Sequence, residues 1–131
     1  MARSSVLTVD LLEGNFVICR LSPSSSLPSW AFTGPFISIT KTNDELSIIT
    51  IDDNRLPRDI QCERNWKCFK LKGPFPFDMT GVLTSILNPL GKADIGILAV
   101  STFDTDYVLV KDKNLEIAID VLKQNGHIVN V

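Results

Sequence analysis

The hexapeptide Ser101-Thr-Phe-Asp-Thr-Asp106 places three hydroxyls, two carboxylates and one aromatic ring within six residues. Asp104 and Asp106 can hold an ammonium group or a cationic side chain through charge-assisted hydrogen bonds. Asp104 serves equally well as a turn residue that bonds its own backbone. Asp106 opens a run of strand-forming residues where aspartate is disfavoured, and an uncompensated local cost points towards function. Phe103 at the turn is either a pocket wall or an interface residue. The complementary chemistry is at Gly81, in the first turn of an expected helix. A residue without Cβ leaves the free N–H groups there open, and the helix dipole adds partial positive charge, so a carboxylate fits. The alternative for Gly81 is close packing of the helix on a sheet.

Other chemistries have little support. His127 is the one histidine in the sequence, and it is expected at the surface or at a strand end. No glycine-flanked serine forms a nucleophile elbow. No phosphate-binding or dinucleotide fingerprint is present. Cys62 and Cys68 have the wrong spacing for zinc. The three cysteines, Cys19 included, read as reduced thiols of a cytoplasmic protein. A formal charge of −2 excludes the basic excess of a nucleic-acid binder. No apolar run is long enough for a membrane span, and Met-Ala-Arg-Ser-Ser lacks a signal-peptide core. The expectation is a non-enzyme without cofactor or metal.

The elements that must position these residues are legible from periodicity. Ile95–Val100 and Tyr107–Val110 are apolar runs joined by the polar hexapeptide, which predicts a central hairpin of strands covered on both faces. Val82, Leu83, Ile86, Leu87 and Leu90 form one face of a helix spanning 79–90. Asp78 or Thr80 can cap that helix, and Pro89 with Gly91 closes it. A second helix over 113–125 begins at Asp112 and stops at Asn125-Gly126, before a short strand 127–131. With a strand at Trp66–Leu71, the order is β-α-β-β-α-β, the ferredoxin-like unit of four antiparallel strands with both helices on one face. Upstream, Val6–Leu12 and Phe16–Leu21 flank Glu13-Gly-Asn15 and read as a hairpin. A short helix near Pro28 is anchored by Trp30 and Phe32. Phe36–Thr40 and Leu46–Ile51 form a second hairpin, and residues 58–65 cross the surface. Aligning Ser38–Leu46 with Ala99–Tyr107 suggests an internal duplication whose first copy has degenerated.

Phe77-Asp-Met-Thr-Gly-Val-Leu83, Pro89-Leu-Gly91 and Ser101–Val110 together resemble the ACT domains of amino-acid-sensing proteins. They are similar to halves of the animal cytosolic arginine sensor and, more distantly, to the allosteric domains of aspartate kinases. The resemblance implies an α+β chain of two tandem ACT-type units, a degenerate one over 1–61 and a full one over 62–131. It also implies that a free amino acid binds where ACT units meet. The ligand site it implies consists of Thr80, Gly81 and Val82 on the helix side and Thr102, Phe103, Asp104 and Asp106 on the hairpin side. Because the arginine sensor has four such units in one chain, a complete site here calls for a homodimer. The family further implies a regulatory role exercised on a protein partner.

Overall fold

The computed structural model describes residues 6–76 and 79–131. Along them run β1 (Thr8–Leu11), β2 (Phe16–Leu21), β3 (Ser38–Lys41), β4 (Leu46–Ile51), β5 (Gln61–Leu71), α1 (Val82–Lys92), β6 (Ile97–Ser101), β7 (Asp106–Lys111), α2 (Leu115–Gln124) and β8 (Ile128–Asn130). The chain forms two compact units, one of Gly14–Trp66 and one that combines the residues up to Glu13 with Lys67–Val131.

In the 14–66 unit the strands lie in the order β3-β4-β2-β5, antiparallel at every step. Taken in chain order this is the 4-1-3-2 arrangement of a ferredoxin-like sheet. A 3-10 turn at Ser29–Phe32 stands where the first helix would be, and an irregular segment over 52–60 replaces the second. Val17, Cys19, Trp30, Ala31, Leu46 and Ile48 form its core. The turn directs Trp30 and Ala31 inward, whereas Phe32, expected as an anchor, is 56% exposed. The crossing expected over 58–65 is also corrected, because β5 begins at Gln61. Its first five residues alternate between exposed and half-buried without an apolar stripe.

The second unit has the strand order β8-β1-β5-β7-β6. The expected hairpin between 6–12 and 16–21 does not form. β1 instead pairs antiparallel with β5 and parallel with β8. The ferredoxin-like sheet of this unit therefore has five strands, with the N-terminal strand inserted between its first and fourth. β6 and β7 are antiparallel as expected. Of the two, only β7 is central: its Val108, Leu109 and Val110 are fully buried, while β6 pairs with β7 alone among the described residues and is partly exposed.

Both helices contribute to one core. Val82, Ile86 and Leu90 of α1 and Ala118 and Leu122 of α2 pack with Val9, Phe69, Leu71, Val108 and Val110 of the sheet. Each large aliphatic side chain buried there contributes about 1.5–3 kcal/mol. α1 starts and stops later than expected. Gly81, not Thr80, is its N-cap, and Asp78 lies outside the described residues. Pro89 and Gly91 sit inside the helix. It ends where Asp94 turns left-handed (φ 59°) and the N–H groups of Asp94 and Ile95 bond the carbonyls of Gly91 and Leu90. This is the Schellman pattern, reached without glycine. α2 closes the same way through Gly126 and His127, as Asn125-Gly126 predicts, after a 3-10 turn at Asp112–Asn114.

Pro89 has no N–H to give the carbonyl of Ser85, four residues earlier. His127 supplies the missing donor. Its Nε2 lies 3.1 Å from the Ser85 oxygen, and its Nδ1 accepts the Leu7 N–H at 3.2 Å. The second bond fixes the neutral tautomer with the proton on Nε2. His127 is 6% exposed, so of the two expected positions the surface one is corrected and the strand end stands: it precedes β8 directly and is a buried joint between α1 and Leu7.

Candidate functional site

A cavity of about 260 Å³ lies within the second unit, between the start of α1 and the tip of the β6–β7 hairpin. Gly81, Val82, Leu83 and Thr84 line one wall, and Ser101 through Asp106 line the other. Of the seven residues proposed from sequence, six face this cavity. Thr80 is exposed and is not among its lining residues.

On the helix wall, Gly81 has φ +81° and ψ −3°, a conformation that L-residues with a Cβ adopt at a cost. A Cβ placed there would meet no heavy atom within 4 Å. Close packing is therefore not what requires the glycine. Its backbone turn is, and the residues that follow it, Val82, Leu83 and Thr84, line the cavity. The first main-chain bond of the helix runs from Ser85 N–H to the Gly81 carbonyl at 3.0 Å. The N–H groups of Val82, Leu83 and Thr84 precede it, and among the described residues α1 has no side-chain cap and no acidic residue in its first turn. That wall is a donor surface with partial positive charge.

The hairpin wall is braced from beneath. Thr102 closes the turn: its N–H and its hydroxyl donate to the Thr105 carbonyl at 2.8 and 3.0 Å. The Thr105 hydroxyl is buried and donates to the Leu71 carbonyl at 2.6 Å. The Phe75 N–H donates to the Asp104 carbonyl at 3.0 Å. Gly73 leaves room for this contact, since a Cβ there would come within 2.9 Å of the same carbonyl oxygen. Thr105, Gly73 and Phe75 are supports that periodicity does not reveal, because their partners lie some thirty residues away in the chain. Phe103 projects at the rim, 79% exposed. Ser101 and Asp106 face each other across the strands, and the Ser101 hydroxyl donates to Asp106 Oδ1. This bond is the structural compensation for an aspartate at a strand start.

The turn recurs in the other unit. Thr42 closes on Glu45 through its N–H at 2.9 Å, and its hydroxyl accepts the Glu45 N–H at 3.2 Å, as Thr102 does with Thr105. This match shifts the alignment read from sequence by one residue. Leu46, 2% exposed, occupies the place of Asp106, and Lys41 that of Ser101. The first unit keeps the turn and lacks the carboxylate.

Among the described residues no group of His, Cys, Asp and Glu side chains forms a metal-binding cluster. No helix there is long and apolar enough to cross a membrane.

The sequence pattern of the ACT domain matches residues 61–124, and a separate N-terminal-domain pattern matches residues 14–59. Over 95% of its length the chain is similar to protein Atu0741 from Agobacterium tumefaciens, with 44% identity, 92% of that chain covered and a TM-score of 0.89. It is 26% identical over 115 residues to the cytosolic arginine sensor for mTORC1 subunit 1 of Rattus norvegicus, a match that takes in 77% of this chain. The chain spans about a third of that relative's length (35%). A Clostridium acetobutylicum aspartate kinase shares the fold, with a TM-score of 0.64 at 15% identity over 95% of this chain and 36% of the kinase. With its helices, hairpin and sheet in place, the stretch 61–124 belongs to the ACT-domain family.

Proposed function

We propose that the chain is a non-catalytic regulatory protein that binds a free amino acid between the start of α1 and the β6–β7 hairpin. One observation carries this reading: opposite walls of one cavity offer complementary chemistry. The start of α1, without a side-chain cap among the described residues, suits an α-carboxylate, and Asp104 and Asp106 suit an α-ammonium or a basic side chain. Val82 and Thr102 frame the two walls, and Phe103 covers the rim. Arginine sensing by the mammalian relative supports the ligand class and a cytoplasmic setting. Occupancy is passed on to a protein partner.

A thermal-shift screen with the twenty amino acids tests this. A ligand present at 100 times its dissociation constant stabilises by about 2.7 kcal/mol, so one amino acid or a related pair should raise the unfolding midpoint by several degrees. A flat screen would favour the rival reading, an interaction subunit with an empty pocket. The Ser101–Asp106 bond lends the rival its support, because it gives the carboxylate a purely structural use.

The site reaches its full form in a homodimer. β6 pairs on one side only among the described residues, and it carries Ser101 beside the exposed Phe103. A second copy laid along this edge would cover both. Light scattering should return twice the chain mass at micromolar concentration. A monomer mass across a wide concentration range would refute the assembly.

A further inference from the structure

Cys19 on β2 and Cys62 on β5 are direct partners in the antiparallel ladder, and their Sγ atoms lie 3.0 Å apart. Residues opposite one another in such a ladder hold their Cβ atoms about 4.5–5.5 Å apart. A disulfide needs about 3.5–4.5 Å, so a small approach of two strands already in register suffices. Cys19 is 1% exposed and Cys62 is half-buried. A cavity of about 230 Å³ is lined by both cysteines with Arg20, Ser47 and Gln61. These features belong wholly to the 14–66 unit and are independent of the amino-acid site.

We infer that Cys19 and Cys62 form a reversible oxidation site that closes to a cross-strand disulfide on exchange with a small-molecule disulfide. Cys62, the accessible sulfur, attacks as its thiolate. The S–S bond of the small molecule breaks, one thiolate departs, and a mixed disulfide forms on Cys62. Cys19 gives up its proton to the solvent and attacks the Cys62 sulfur, displacing the second small-molecule thiolate. The two protein thiols lose two protons and two electrons, and the external disulfide is reduced to two thiols. Burial and the bond to Cys62 push the Cys19 thiol up, so it is Cys62 that attacks the external disulfide first, and capping Cys62 removes that residue's share of the effect on Cys19. The product ties β2 to β5 and constrains the intervening chain. Cys68 is fully buried, and burial alone pushes its thiol up to about 12, so it stays out of the exchange.

The test incubates the full chain with glutathione disulfide and reads intact mass and peptide maps. The expected product is lighter by two hydrogens, yields a peptide linking 19 to 62, and reverts with dithiothreitol. Cys19→Ser and Cys62→Ser should abolish that linkage, and Cys68→Ser should leave it unchanged. Retention of both thiols in excess oxidant would overturn the inference. So would a reaction that stops at a stable glutathione adduct on Cys62.

Discussion

Replacing His127 with Ala is expected to lower the unfolding free energy by about 2–6 kcal/mol. Two backbone groups lose their partner at once, the Leu7 N–H and the Ser85 carbonyl, at about 1–3 kcal/mol each. The whole molecule is held by only about 5–15 kcal/mol, so this substitution takes a large share. The mechanism can be isolated through the proline that creates the need. In Pro89→Ala the helix regains its own donor for the Ser85 carbonyl, so His127→Ala should cost less in that background by roughly 1 kcal/mol or more. Urea denaturation of the four proteins measures this coupling. Additive costs would show that the Ser85 carbonyl does not depend on the ring, and an unchanged His127→Ala protein would dismiss the joint altogether.

Asp106→Ala is expected to weaken binding of the responsive amino acid by ten- to a hundred-fold. Loss of one charge-assisted hydrogen bond costs about 1.5–3 kcal/mol of affinity. The fold should persist, because the Ser101–Asp106 contact lies at the exposed end of the hairpin while Thr105 and Leu71 hold the tip from beneath. Gly81→Val should remove binding for a different reason. Bulk alone meets nothing at that point, but a β-branched residue at φ +81° is strained by about 1–3 kcal/mol and relaxes by moving the first turn of α1. Calorimetry on both variants separates a lost acceptor from a displaced donor wall. Wild-type affinity in Asp106→Ala would remove the hairpin from the site.

Much of this was legible because it is local. The α1 face from Val82 to Leu90, the β6–β7 hairpin and the Asn125-Gly126 stop all declare themselves within a few residues. Errors arose where a partner is distant or a signal residue is replaced. Nothing in Val6–Leu12 indicates that it joins β5 and β8 rather than its neighbour in sequence. Asp94 ends α1 in a left-handed turn that glycine usually marks, so Gly91 drew the boundary too early. Gln61–Asn65 is polar on both faces and gives no strand period. In the candidate site, the six cavity residues were found through a resemblance to ACT domains together with the chemistry of the hairpin tip. Thr105, Gly73 and Phe75 were missed, because their use lies in bracing that tip. The one-residue shift between the two turns likewise needed hydrogen bonds to settle, since both readings align an acid with an acid.

The central claim is that an amino acid sits between the first turn of α1 and the hairpin tip, and amide chemical shifts test it most directly. The isotopically labelled chain is titrated with the amino acid that raises its unfolding midpoint. The account predicts saturable shifts at the amides of Gly81, Val82, Leu83 and Thr84, together with those of Ser101 through Asp106, with the 14–66 unit little changed. Saturable shifts confined to other residues, or no shifts with any of the twenty amino acids, would contradict it.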